Sequence, residues 1–248
     1  SLVIRDEANG LRRYCHLGTG NYNPKTARAY EDLGILSADP ELTEDLTKLF
    51  NQLSGFAPQS TYSRLLVAPS TLRSGIFERI DREIENQKAG KPAGIQLKLN
   101  SILDEGFVEK IYQASQAGVK IDLLVRGICA VQPGIKGISE NITVKSVLGR
   151  FLEHSRIFHF VNGGNNEYWI GSADLMGRNL DRRVESLVRI DKKEHQHRLQ
   201  EILDLGLSAD SSSWQLSGID WKRVSKNNNG EALLDVHSVF IHTYSRER

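Results

Sequence analysis

The most reactive group of side chains lies in EHSRIFHFVNGGNNEYWIGSADLMGRNLDRR, residues 153 to 183. His154 and Arg156 share a face if this stretch opens as a strand. Three more arginines follow the next predicted strand: Arg178, Arg182 and Arg183. An imidazole titrates near neutral pH, and guanidinium groups pair with phosphate oxygens two at a time. The pattern is typical of phosphoryl transfer, although a strand-end histidine beside solvated arginines is an equally simple interpretation.

Composition limits where an anion site could lie. The 32 Lys+Arg residues nearly balance the 31 Asp+Glu residues, so any such site must be a local cluster, and no nucleic-acid partner is expected. Cys15 and Cys129 lie far apart without a CxxC motif, which argues against a zinc site or a disulfide framework and favours a cytoplasmic location. No apolar run approaches the roughly 20 residues of a membrane span.

Two other motifs are weak evidence for a functional site. GTGNYN at 18 to 23 lacks the third glycine of a dinucleotide-binding fingerprint, so a tight turn is the preferred interpretation. His195 and His197 lie two apart on a predicted helix and cannot share a face. We expect these two histidines to be solvated.

The elements before residue 64 are predicted from turn and capping signals. Residues 2 to 17 read as two strands joined at Asn9-Gly10, a strong hairpin signal. Asn23 can cap a helix that starts at Pro24 and that we expect to end at Gly34. A second, amphipathic helix is predicted over 39 to 55.

From Arg64 onward, strand and helix patterns alternate, which predicts an α/β fold. The expected strands are RLLVAPS, GIQLKLN, KIDLLVRG and ITVKSVLG, then a hairpin across Asn162-Gly163-Gly164, and VESLVRI. We expect a mixed or mainly parallel sheet with helices on both faces. A closing helix is predicted from Asp191 to Leu207, and residues 225 to 231 read as an exposed loop.

Three long motifs resemble one family in order and spacing. They are RYCHLGTGNYNPKTARAYEDLG, GIQLKLNSILDEGFVEKIYQASQAGVKIDLLVRGICA, and LEHSRIFHFVNGG with the following WIGSADLMGRNLDRRVE. Residues 1 to about 208 resemble the carboxy-terminal half of bacterial polyphosphate kinases of the phospholipase-D-like type. The resemblance implies the tail of a first phospholipase-D-like domain at 1–63, a second such domain at 64–208 and a C-terminal extension at 209–248.

The resemblance also implies an activity. The family transfers the terminal phosphate of ATP reversibly to polyphosphate, through a phosphohistidine and with Mg²⁺. Its nucleophile lies in a His-x-Lys motif just ahead of the strand that opens this chain, and this chain has no His-x-Lys. Because it also starts without Met, we expect a fragment that lacks the nucleophile and the metal-binding residues and is inactive alone. ATP, ADP and inorganic polyphosphate are the expected partners, in a homo-oligomeric parent enzyme.

Site residues follow from the resemblance motif by motif. Tyr30 in TARAY is implied to contact the nucleotide by stacking, and Arg126 in LLVRG to bind it. His154 in LEHSR is implied to be catalytic, as a nucleotide contact and a proton donor to the leaving oxygen. Arg183 in LDRR is implied to contact phosphate, and His16 in HLGTGN to play a supporting part.

Two alternatives remain open at this point. A phospholipase-D-like phosphodiesterase or nuclease would show His-x-Lys with an aspartate five residues after the lysine. This chain has Arg156 and Val161 at those positions, which weakens that hypothesis. The other alternative is a non-catalytic module that binds polyanions.

Overall fold

The computed structural model describes residues 1–56 and 61–245. The N-terminal part contains, in chain order, β1 (Leu2–Glu7), β2 (Gly10–Gly18), α1 (Pro24–Ala27), β3 (Tyr30–Glu31), β4 (Gly34–Ser37) and α2 (Pro40–Leu53). Strands β1, β2 and β4 form an antiparallel sheet in that order. The predicted hairpin is confirmed, and Gly10 at its turn has a positive φ of 100°, which favours glycine.

The predicted helix from Pro24 to Gly34 is wrong beyond its first turn. Asn23 does cap α1 by accepting hydrogen bonds from the backbone N–H groups of Lys25 and Thr26, but the helix ends at Ala27. The chain then becomes extended as β3, which pairs in parallel with β9 (Leu152–Glu153). This long-range pairing satisfies backbone groups that a helix would have used, so tertiary structure overrides the local signal.

A nine-stranded sheet carries the rest of the chain. Its elements in chain order are β5 (Leu65–Ala68), α3 (Leu72–Lys88), β6 (Ile95–Leu99), α4 (Glu105–Gln116), β7 (Ile121–Val125), β8 (Ile142–Ser146), β10 (Ile157–Phe160), β11 (Glu167–Gly171), α5 (Gly177–Asp181), β12 (Glu185–Ile190), α6 (Lys193–Leu207), β13 (Ser213–Ser217) and β14 (Asp220–Val224). A last helix, α7, spans Val236–Ser245.

The strand order is β14-β13-β8-β7-β6-β10-β11-β12-β5. Within this sheet the pairs β6·β7 and β7·β8 are parallel, and the other six strand pairs are antiparallel. The predicted α/β class and mixed sheet are therefore confirmed, but the sheet is not mainly parallel as the alternation had also suggested, because antiparallel pairs are in the majority. The hairpin at 162 to 164 is also as predicted, since β10 and β11 flank a short 3₁₀ turn there.

Helices cover both faces of this sheet, as expected. On one face α3 and α4 bury Ile76 and Phe107 against Phe158. On the other face α2 and α6 bury Leu46 and Leu203 together with Ile157. Ile157 and Phe158 are neighbours on β10, and each is 0% exposed. The alternation of strand side chains thus supplies two hydrophobic layers from one strand.

The segment after α6 joins the main sheet. Strand β13 pairs with β8, and β14 continues the sheet beyond it. The predicted loop at 225 to 231 is confirmed as an exposed turn region. Helix α7 packs against the layer that contains α6. Among the residues that the structure describes, no helix is long and apolar enough to cross a membrane.

Candidate functional site

One edge of the nine-stranded sheet gathers most of the polar residues singled out by sequence. The directions of the strands place the carboxyl ends of β6, β7 and β11 and the amino end of β10 at this edge. Arg126 follows β7, Arg156 precedes β10 and Asp174 follows β11. Ligands in open α/β sheets bind at such an edge.

Asp174 organises the middle of this edge. Its carboxylate accepts hydrogen bonds from the backbone N–H groups of Asn100 (2.8 Å) and Ser101 (3.2 Å). It also accepts from Arg156 Nη2 at 2.9 Å and from Arg156 Nε at 3.3 Å. Asp174 is 3% exposed and Arg156 5%. This buried ion pair ties β6, β10 and β11 together and holds the Arg156 guanidinium in one orientation.

Arg126 lies beside this pair. Its Nε donates to Asn100 Oδ1 at 2.9 Å, and its Nη2 contacts the same oxygen. Its Nη1 is buried and has no hydrogen-bond partner within the described part of the chain. Burial, followed by the charge of Arg156, lowers the pKa of Arg126. The unpaired donor and the crowding of two cations favour an anion at this position.

Tyr30 and His154 stack on each other near the arginines. Their ring centroids are 4.3 Å apart with an interplanar angle of 21°. The backbone sets this contact, because Leu152 N–H donates to Ala29 O (2.8 Å) and His154 N–H donates to Glu31 O (2.9 Å). The β3·β9 pairing that replaced the predicted helix therefore brings Tyr30 to His154.

His154 is held as a neutral ring. Burial and the charges of Arg156 and Arg126 lower its pKa to about 4. Nδ1 lies 3.0 Å from Thr19 O and 2.8 Å from Arg156 Nη1. Arg156 Nη1 also donates to Thr19 O (3.1 Å) and to His154 O (2.7 Å). Nε2 lies 3.3 Å from the same Nη1 atom, so the Arg156 guanidinium contacts both ring nitrogens.

A second group of charges lies just behind the first. Lys98, 7% exposed on β6, donates to Glu31 Oε2 (2.7 Å) and Ser155 Oγ (2.5 Å) and contacts Glu153. Burial acts against charge on Lys98, but Glu31 and Glu153 outweigh it and raise the pKa of the amine. We call Lys98, Glu31, Glu153 and Ser155 the lysine cluster. Arg126, His154, Arg156 and Asp174 form the arginine cluster.

Arg183 belongs to the same sheet edge but to another part of it. It lies just before β12, its Nη1 is 4.0 Å from Glu185 Oε1, and its side chain is 58% exposed. Strand β12 is two places from β10 in the sheet order, which is roughly 10 Å at the usual strand spacing. Glu185 in turn accepts from Asn179 Nδ2 at 2.7 Å and contacts Ser172. The structure therefore brings Tyr30, Arg126 and His154 together and leaves Arg183 to one side.

The GTGNYN segment contributes its backbone. Thr19 O accepts a hydrogen bond from Arg156 Nη1 and contacts His154 Nδ1, and the segment is a bend after β2, in keeping with the predicted turn. A Cβ at Gly20 would lie 1.7 Å from Asp32 Oδ2, so a larger residue there would displace the Asp32 carboxylate. His16 Nδ1 lies 2.6 Å from Tyr22 Oη, and the His16 ring packs edge-on against the Tyr22 ring.

A cavity of about 560 Å³ opens between β3 and α7. Its lining includes four aromatic side chains: Tyr30, Phe151, Phe240 and Tyr244. A space of this size and character is typical of small-molecule sites. Within the described ranges, no group of three or more His, Cys, Asp or Glu side chains could hold a metal ion.

Sequence reasoning missed the residues that hold the site in place. Asn100, Asp174 and the lysine cluster were not singled out, and His237 received no role. One usable signal was Lys98 itself, the one charged residue in the predicted strand GIQLKLN. A buried charge of this kind requires partners. Its partners could not be found by spacing because they come from residues 31, 153 and 155.

Comparison with known proteins gives a consistent result. Residues 65–233 match the family model described as polyphosphate kinase C-terminal domain 2, and residues 1–59 match C-terminal domain 1. The polyphosphate kinase of Streptomyces coelicolor is 53% identical over 249 residues, covering 100% of this chain and 33% of that protein. That of Mycobacterium avium is 50% identical over 240 residues, covering 97% of this chain and 32% of that protein.

A solved structure agrees with these relatives. The crystal structure of polyphosphate kinase from Porphyromonas gingivalis matches with a TM-score of 0.88 and 34% identity, over 96% of this chain and 36% of that one. This chain thus spans about a third of the length of the relatives it matches. Because family models cover most of its residues, this chain belongs to the polyphosphate kinase family.

Proposed function

We propose that this chain is the C-terminal portion of a kinase that transfers the terminal phosphate of ATP reversibly to inorganic polyphosphate. The observation that carries the proposal is the convergence of Tyr30, Arg126 and His154 at one sheet edge, from three separate parts of the sequence. In this reaction the protein's main task is to position phosphates and neutralise their charge.

Arg126 is proposed to hold a phosphate of the nucleotide. Its buried Nη1 lacks a partner among the described residues, so a phosphate oxygen would satisfy a donor that the fold leaves free. Arg156 adds positive charge, while its ion pair with Asp174 keeps it in place. The two guanidinium groups would thus be in position to stabilise phosphate charge before the substrate binds.

His154 is proposed to handle the proton at the leaving oxygen. In the absence of substrate its pKa is lowered to about 4, so the ring is neutral at pH 7. Phosphates bound between Arg126 and His154 would offset the two guanidinium charges and raise that pKa. The ring could then take a proton and donate it to the oxygen of ADP as the bond to the terminal phosphorus breaks.

Tyr30 is proposed to contact the nucleobase. One face of its ring is covered by His154, and the residue also lines the cavity between β3 and α7. A planar base can stack or pack edge-on against an aromatic ring in such a space. Arg183, which is exposed at the side of the site, is proposed to contact a more distant phosphate of the polymer.

The phosphorylated histidine and the Mg²⁺ ligands are proposed to lie in other segments of the parent enzyme. None of the described carboxylates and histidines group as a metal site. Asp174, Glu31 and Glu153 are each engaged by a cation of this chain. Mg²⁺ would neutralise charge on the transferred phosphate. A homo-oligomeric, cytoplasmic enzyme remains our expectation.

The test uses the longer protein that carries this segment, incubated with Mg²⁺ and ATP labelled in the terminal phosphate. We expect labelled polyphosphate and ADP, and an acid-labile label on a histidine outside residues 1–248. Label on His154, or no polymer at all, would contradict the proposal. Incubating residues 1–248 alone under the same conditions should give no labelled protein.

The phosphodiesterase alternative makes an opposite prediction. Such an enzyme would release nitrophenol from bis(p-nitrophenyl) phosphate without ATP. Arg156 occupies the position of the lysine of the phosphodiesterase motif, and it is committed to Asp174. We therefore expect no release above background, and release that depends on His154 would favour the alternative.

A further inference from the structure

The C-terminal helix inserts one histidine into the interior next to the site. His237, near the start of α7, is 2% exposed. Its Nδ1 accepts a hydrogen bond from Phe151 N–H (3.1 Å), and its Nε2 lies 2.6 Å from Glu153 Oε1. Because a backbone N–H only donates, Nδ1 is unprotonated and Nε2 carries the hydrogen that Glu153 accepts. The His237 ring is thus held in one tautomer, and both of its nitrogens are hydrogen-bonded.

The surroundings allow the His237 ring little freedom. A Cβ added at Gly149 would lie 2.3 Å from Nδ1, so glycine is needed for the loop to approach the ring. The Phe151 ring lies 5.7 Å from the His237 ring, centroid to centroid. Loop residues 149 to 151 therefore close over His237 and fix it against Glu153.

Glu153 connects His237 to the site. Its carboxylate also contacts Lys98, and it stands on β9 directly before His154. Burial disfavours the Glu153 carboxylate, but Lys98 and His237 outweigh that effect and lower its pKa to about 2. Since β9 pairs with β3, the position of Glu153 sets the backbone that holds the His154 and Tyr30 rings together.

We propose that His237 is a positioning residue for the His154 and Tyr30 pair and acts through Glu153. The proposal rests on the proposed function only for its kinetic consequence. If α7 or this contact is lost, Glu153 keeps Lys98 but loses its second partner, and β9 is free to shift. A displacement of about 1 Å at a reacting group can reduce a rate by up to about a hundredfold.

The kinetic test compares His237→Ala with His237→Gln in the longer protein. The Gln amide can still donate to Glu153, whereas Ala cannot. We expect H237A to lower kcat for polyphosphate synthesis by about tenfold to a hundredfold, with a smaller change in KM for ATP. H237Q should recover to within about threefold of the parent, since it restores the bond to Glu153.

Val236→Ala is the matched control, because Val236 is the buried apolar neighbour of His237 on α7. It should weaken packing of the helix and leave kcat within about twofold. An equal fall in V236A and H237A, failure of H237Q to recover, or full activity of H237A would each overturn the inference. Gly149→Ala supplies an independent check, since it should displace the His237 ring and reproduce H237A.

A second readout separates this inference from the proposed function. Titration of His154 by NMR of histidine-labelled protein needs no turnover. In H237A we expect the pKa of His154 to rise toward its ordinary value, because a loosened ring leaves the two arginines and gains water. If the parent makes no polyphosphate but this shift is seen, the proposed function fails and the positioning role stands. An unchanged pKa in H237A would overturn the positioning role.

Discussion

The arginine cluster and the lysine cluster lie side by side yet differ in charge and saturation. The arginine cluster has two guanidinium groups, one carboxylate and a neutral His154, and Arg126 Nη1 lacks a partner within the described chain. The lysine cluster has one ammonium group and two carboxylates, with Lys98 contacting both. The arginine cluster therefore has a donor free for an anion, whereas the charges of the lysine cluster pair with one another. Adjacent residues, Glu153 and His154, therefore belong to two clusters of opposite net charge.

The largest expected effect comes from breaking the pair that supports the arginine cluster. Asp174→Asn would leave Arg156 buried with one carboxylate charge removed. Breaking a buried ion pair from one side typically costs about 3–5 kcal/mol. We expect a loss of unfolding free energy of that order in chemical denaturation. Asp220→Asn, at the exposed first residue of β14, is the control and should be neutral.

A similar stability of the D174N protein and the parent would show that the arginine cluster is not held by this pair. The difference in charge and hydrogen-bonding between the two clusters would then need another explanation.

Removing the unsaturated donor should affect activity more than stability. Arg126→Ala should reduce polyphosphate synthesis by about a hundredfold, since a donor aimed at developing charge is lost. Thermal stability should change little, because loss of the hydrogen bonds to Asn100 Oδ1 is offset by relief of the burial and the Arg156 repulsion that disfavour this cation. Arg126→Lys should be intermediate, as a lysine keeps the charge but loses the planar fork. Rates of R126A close to the parent would remove Arg126 from the site.

The lowered pKa of His154 predicts a dependence of stability on pH. The unfolded ring titrates near 6.5, while in the folded chain the pKa is about 4. Between these values the unfolded state binds more protons, so stability falls as pH is lowered from 7 to 5. The loss should be on the order of 1 kcal/mol.

His154→Asn is the matched variant for this effect. Its unfolding free energy should vary less between pH 7 and pH 5 than that of the parent. Identical slopes for the two proteins would mean that His154 is not desolvated beside the arginines.

The smallest effect is expected for Arg183. Its side chain is 58% exposed and its partner Glu185 is 4.0 Å away. Arg183→Ala should lower the rate less than about threefold at saturating substrate, since exposed charge pairs contribute little. A loss as large as that of R126A would extend the arginine cluster across the sheet edge to β12. The assay is polyphosphate synthesis at two ionic strengths, because screening should weaken a surface contact first.

Local sequence patterns determined the elements and the chemistry available to them. Asn9-Gly10, the apolar periodicity of α2 and the alternation from Arg64 predicted the hairpin, the helix and the α/β class, which the structure confirms. The positions of Arg126 and Arg156 beside strand ends were also readable. These features depend on contacts close along the chain or on side-chain periodicity.

Tertiary structure alone decided how the site is assembled. The β3·β9 pairing converted a predicted helix into a strand and placed Tyr30 against His154. Likewise, Lys98 meets Glu31 and Glu153, and His237 reaches Glu153 across 84 residues. A buried charge needs partners, but sequence does not say which ones. Loop closure costs little extra for each added residue, so a partner can lie at almost any distance along the chain. Spacing in the sequence therefore does not identify it, and only the folded chain does.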